Sequence, residues 1–85
     1  MKIRQDLNLG NNLRTLRKQC GLTQDQVSAK LQLLGCDVSR AVYSRYETGE
    51  LNIRVSDLIA LKHIFNCQYE EFFDGLCIEK ETPLN

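Results

Sequence analysis

Tryptophan is absent from this 85-residue chain, and proline and histidine occur once each, as Pro83 and His63. A single proline leaves no room for a proline-rich linker, and a single histidine excludes a histidine-clustered metal site. No run approaches the 18 apolar residues that a membrane-spanning helix needs. The first residues, Met1-Lys2-Ile3-Arg4-Gln5-Asp6, lack the apolar stretch of a secretory leader, so the expected location is cytoplasmic. Cys20, Cys36, Cys67 and Cys77 are spaced by 16, 31 and 10 residues, with no CxxC pair. That spacing argues against a zinc site and against a disulfide framework, and the cysteines read as small buried or half-buried apolar residues. There is also no excess of charge of one sign, because 11 basic residues meet 11 acidic ones. By itself that argues weakly against a polyanionic partner.

The distribution of charge says more than the total. Residues 1–45 hold eight Lys/Arg and three Asp/Glu, whereas residues 46–85 hold three and eight. The chain is therefore basic in its first half and acidic in its second, an arrangement suited to turning one end toward phosphates. Apolar residues make up 42% of the sequence, which favours a folded domain over disorder. A chain of this size forms one domain that buries about 60–65% of its unfolded surface.

Helical periodicity runs through most of the sequence, and nothing shows the strict alternation of a strand. Leu9, Leu13, Leu16 and Cys20 form one apolar stripe, over about 9–20, with Asn8 or Asn11 as its cap and Gly21 as its stop. Thr23 begins a second helix, over about 24–34. Gln26 stands at the capping-box position, Asp25 suits the helix N-terminus and Leu22 acts as a staple. Val27, Leu31 and Leu34 line its inner face, Ala29 and Leu33 widen it, and Gly35 ends it. Asp37 or Ser39 opens a third helix over about 40–47, with Tyr43 and Tyr46 toward the core. Ser56 is the expected cap of a fourth helix, whose stripe is Leu58, Ile59, Leu61, Ile64 and Phe65. Tyr69, Phe72 and Phe73 anchor a short fifth helix over about 68–74. The expected architecture is all-α, with five helices and a helix-turn-helix at the centre. The expected organisation is an N-terminal arm over 1–8, the domain over 9–75 and a C-terminal tail over 76–85.

The stretch 23–49, TQDQVSAKLQLLGCDVSRAVYSRYETG, carries the functional signal. It pairs a helix with a second short helix whose outer face holds small and cationic side chains. A helix of about 10 Å diameter fits a major groove about 12 Å wide, provided its first residues are small or donate to base edges. Three stretches extend the pattern: Asn12-Leu13-Arg14-Thr15-Leu16-Arg17 leading to Gly21-Leu22-Thr23-Gln24, then Val38 to Glu50, then Leu58-Ile59-Ala60-Leu61 with Phe65-Asn66-Cys67 and Glu70-Glu71-Phe72-Phe73. In this order the sequence resembles the phage-repressor-like helix-turn-helix domains, the Cro and lambda-repressor (XRE) type. It departs from them at Gln32-Leu33-Leu34-Gly35-Cys36-Asp37, where the turn is about four residues longer than usual.

The resemblance implies that Ser39, Arg40 and Ala41 enter the groove, with Ser44 and Arg45 one turn on. Arg40 and Arg45 are the candidates for guanine O6 and N7, the alternative for each being a phosphate alone. Gln24, joined by Thr23, corresponds to a phosphate-binding helix start. Arg17 and Glu47 correspond to an internal ion pair, the alternative for Arg17 being a surface phosphate. Lys18, Arg14 and Lys30 add general cationic character. Phe73, Leu76 and Ile78 are the candidate dimer contacts, their alternative being ordinary core. The expected function is sequence-specific binding of double-stranded DNA by a homodimeric transcriptional regulator, a repressor acting by operator occupancy. The alternative is a protein-interaction or antitoxin-like module whose acidic segment Glu70 to Asp74 meets a regulatory protein partner. No catalytic constellation, cofactor motif, metal site or membrane segment is expected.

Overall fold

In the computed structural model, residues 2–3 and 8–76 are described. Their elements run β1 (Lys2–Ile3), α1 (Gly10–Gln19), α2 (Gln24–Leu33), α3 (Arg40–Thr48), β2 (Ile53–Arg54) and α4 (Val55–Phe65), closed by a single 3-10 turn, Tyr69–Phe72. The described fold is all-α with four helices, not the five expected from the sequence. The fifth segment fails to become an α-helix for local reasons. Asn66 turns the chain left-handed at φ 51° and Gly75 does so again at φ 76°, which confines any helix to the few residues between them. Within that turn the bonds run i to i+3, from Glu71 N–H to Gln68 O and from Phe73 N–H to Glu70 O. The Asn12 side-chain amide donates to the carbonyls of Phe72 and Asp74, both at 2.9 Å, and so takes up acceptors that a longer helix would use.

Each helix start has its own device. Asn8 Oδ1 accepts from the Gly10 amide at 2.7 Å, so Asn8 serves α1 from just outside its cap residue, Leu9. Thr23 and Gln26 form a reciprocal capping box on α2. Ser39 Oγ accepts from the Val42 amide at 3.2 Å at the start of α3. The fourth start differs from expectation: the cap is Arg54, without a side-chain bond, and Ser56 lies inside the helix. Arg54 is held instead by its backbone, in an antiparallel two-residue ladder that pairs Lys2 with Arg54 and Ile3 with Ile53. A ladder this short leaves no alternation in the sequence to read.

The core sits between α1, α2, α3 and α4, where Leu13, Val27, Leu31, Tyr43, Leu61 and Phe72 are fully buried. Ser28 is buried with them, its hydroxyl donating to the Val38 carbonyl at 2.6 Å and fixing the α2–α3 turn. The Tyr46 hydroxyl donates to Asp57 Oδ2 at 2.7 Å, a buried bond that ties α3 to α4. Gly10 permits the close approach of α1 to α3, since a β-carbon there would stand 1.9 Å from the Glu47 carbonyl oxygen. Three apolar residues placed in helix stripes by their spacing turn outward instead: Leu33 is 86% exposed, Leu34 55% and Ile59 43%. Ala29 is exposed as well. Of the cysteines, Cys67 is buried, Cys36 half-buried and Cys20 exposed, all three free thiols; Cys77 lies outside the described residues.

Candidate nucleic-acid interface

The α2 and α3 helices present their starts on one side of the molecule. The capping box at Thr23 satisfies the Gln26 amide and leaves the other amides of the first turn of α2 without intrahelical partners, a setting that suits an anion. On α3, Ser39, Arg40, Ala41 and Arg45 are exposed and Ser44 is half-buried. Ala41 and Arg45 stand one turn apart on the helix surface, as do Arg40 and Ser44. The Ser39 hydroxyl accepts the cap bond and keeps its own proton to donate. Arg40 Nε lies 3.5 Å from Asp25 Oδ1, with both side chains largely exposed. Sequence spacing gives no sign of this contact, because it depends on how α2 and α3 cross.

Behind this surface, one carboxylate gathers three helices. Arg17 Nε donates to Glu47 Oε2 at 2.6 Å and Arg17 Nη2 donates to Oε1 at 3.2 Å. Gln24 Nε2 donates to the same Oε1 at 3.0 Å. Arg17 spends its remaining nitrogen, Nη1, on the Leu22 carbonyl at 2.9 Å. Glu47 is 8% exposed. Burial pushes its pKa up, but hydrogen bonding from Arg17 and then from its other neighbours outweighs this, so the carboxyl is held below its ordinary range. Arg17 is held above its ordinary range, chiefly by its bonds to Glu47. The Tyr43 hydroxyl is buried beside this pair without a well-aligned hydrogen bond, and burial raises its pKa strongly.

Asn11, Arg14, Gln24, Ser44 and Thr48 line a cleft of about 200 Å³ over the Arg17–Glu47 pair. Arg14, which the sequence marks only as a general cation, thus stands beside Gln24 and Ser44 on the face that carries α3. Its helical position three residues before Arg17 is the signal that could have placed it there. Phe73 is exposed and Leu76 half-buried against the core; Ile78 lies outside the described residues. Among the described residues no three metal-ligating side chains gather.

Residues 13–72 match the family model described as Helix-turn-helix. The chain belongs to that family. This helix-turn-helix protein is accordingly a DNA-binding transcriptional regulator of the Cro and lambda-repressor type, not an enzyme. Its fold is similar to that of the restriction-modification controller protein C.AhdI from Aeromonas hydrophila, with 25% identity and a TM-score of 0.66, covering 79% of this chain and 94% of the other. It is also similar to an HTH_3 family transcriptional regulator from Vibrio cholerae, with 29% identity and a TM-score of 0.62, covering 78% of this chain but 34% of that one. A search of curated proteins gave no match. No helix among the described residues is long and apolar enough to cross a membrane.

Proposed function

We propose that this regulator reads an operator with the exposed face of α3 and represses transcription by occupying that site. Arg40 and Arg45 address base edges in the major groove, Ser39 and Ser44 donate beside them, and Ala41 meets a thymine methyl. Thr23 and Gln24 seat a backbone phosphate at the start of α2. Arg17 and Glu47 hold the reader in place and do not themselves read. The observation that carries this reading is the Glu47 carboxylate, which anchors Gln24 and Arg17 and leaves the cationic face of α3 outward. Similarity to a restriction-modification controller and to a transcriptional regulator supports the same class of activity.

One helix reads only a few base pairs, so the protein acts as a symmetric pair on an inverted repeat, with Phe73, Leu76 and Ile78 contributing to the contact. It works in the cytoplasm. The domain spans 9–75, with 1–8 as an arm and 76–85 as a tail. Selection of duplex DNA from a random library, run in parallel with Arg40→Ala/Arg45→Ala, tests the proposal. Enrichment of an inverted repeat by the wild type and its absence with the double variant is the expected result. Equal, weak and sequence-blind binding by both folded proteins would overturn readout by α3.

A further inference from the structure

The most unusual surface lies on the outer side of α2 and α4. Leu33 and Leu34 end α2 in the open, and with Ile64, Lys30 and His63 they line a shallow groove of about 320 Å³. Leu34 and His63 also border a second depression that continues to Ile59. Two adjacent leucines this exposed, beside an exposed isoleucine, make an apolar patch of the kind that marks an interaction surface. Among the side chains lining the groove, Lys30 is the cation and none is a carboxylate. No residue placed on the DNA-facing side of α3 belongs to this lining, so the groove stays open when α3 is engaged.

The same chain carries a segment of complementary charge and an exposed apolar ring. The 3-10 turn exposes Phe73 at 44%, flanked by the exposed acids Glu70, Glu71 and Asp74. The two features lie on one continuous surface. Lys62, next to His63 on α4, sets its ammonium 5.1 Å from the ring centre of Tyr69, the first residue of the turn.

We infer that the groove between the end of α2 and α4 is the seat for the 3-10 turn of a second copy of this chain, with Phe73 inserted between Leu33, Leu34 and Ile64. Lys30 then faces Glu70 and Glu71 of the other copy. The inference rests on the symmetric pairing proposed above and specifies what Phe73 contacts in the pair. In a closed two-fold pair each contact is made twice, so each substitution acts twice on the association constant.

Sedimentation equilibrium of the full chain at low salt tests it, with circular dichroism to verify that each variant is folded. Phe73→Ala is expected to weaken association about tenfold or more, as is Leu33→Ser. Lys30→Glu and the double change Glu70→Lys/Glu71→Lys each place like charges together and weaken it by a similar factor, about tenfold. The triple variant that combines both reversals restores it. A wild type that stays monomeric at all concentrations, with and without its selected DNA, overturns the pairing and this seat together. A wild type that pairs, while the groove variants pair equally well or the triple variant shows no rescue, leaves pairing intact and overturns the seat.

Discussion

Glu47 concentrates more of the interface on one side chain than any other residue described. Its carboxylate bonds Arg17 of α1 and Gln24 of α2, and it stands on the helix that presents the cationic face. Removing it strands a nearly buried guanidinium, so Glu47→Ala is expected to cost about 3–5 kcal/mol. That is a large share of the roughly 5–15 kcal/mol that holds a domain of this kind, and chemical denaturation will show it as an earlier midpoint. The acid side follows from the depressed pKa. The folded chain binds the Glu47 proton less readily than the unfolded chain does. The stabilisation is therefore complete above the ordinary carboxylate range and is lost as pH falls through the lower, folded value. Denaturation midpoints measured below about pH 5 should fall more steeply for the wild type than for Glu47→Gln. Arg40 is a different case, because its contact with Asp25 is exposed on both sides. Such a pair contributes roughly 0–1 kcal/mol, so leaving it for a base edge costs little. Asp25→Asn frees the guanidinium and removes a negative charge near the phosphates. Titration with unrelated duplex DNA should show tighter binding for Asp25→Asn than for the wild type, with stability nearly unchanged.

At the scale of elements, what the sequence reveals depends on the range of the interaction. The capping box at Thr23 and Gln26, the serine at the start of α3 and the glycine stops are all local, and each is legible from a few neighbouring residues. The fifth segment misleads because Tyr69, Phe72 and Phe73 have helical spacing, while the amide of Asn12, 60 residues away from Phe72, takes the carbonyl that decides the conformation. Leu33 and Leu34 fit an apolar stripe by spacing, but Gly35 ends α2 before anything packs on them. Of the candidate site, the cationic residues on α3 are legible as a pattern. The roles of Asp25 and Arg14 are not, since both depend on helices crossing. Gly10 shows the same dependence, for its missing side chain makes room for α3 rather than for a turn. Gly10→Ala would drive a methyl group into the Glu47 carbonyl, and the expected cost is about 3 kcal/mol or more. A thermal scan should show that destabilisation, whereas Asn11→Ala on the exposed face of the same helix should leave the melting temperature almost unmoved.

For the whole molecule, the segregation of charge matters more than its sum of zero. A basic first half that supplies α1, α2 and most of α3 gives binding a strong salt dependence despite neutrality, with a log–log slope of about −0.9 per phosphate neutralised. The two arginines can be sorted on this basis. If Arg45 holds a phosphate, Arg45→Ala reduces the slope by about one and weakens all sequences alike. If it holds a base edge, the same substitution leaves the slope nearly as it was and erases preference at one operator position. The second outcome is expected for Arg45, and affinities across a salt series on cognate and mismatched duplexes will distinguish the two.

The shared carboxylate has one more consequence. A recognition helix tied through Glu47 to both helices that flank it has little freedom to tilt toward a duplex that does not match its pose. In the symmetric pair proposed above, two such readers set a fixed distance and angle, and the DNA between them must adapt. Operators with the same half-sites will then differ in affinity according to how readily their untouched central steps bend or twist, so that part of the sequence preference is written in the stiffness of base pairs the protein never meets.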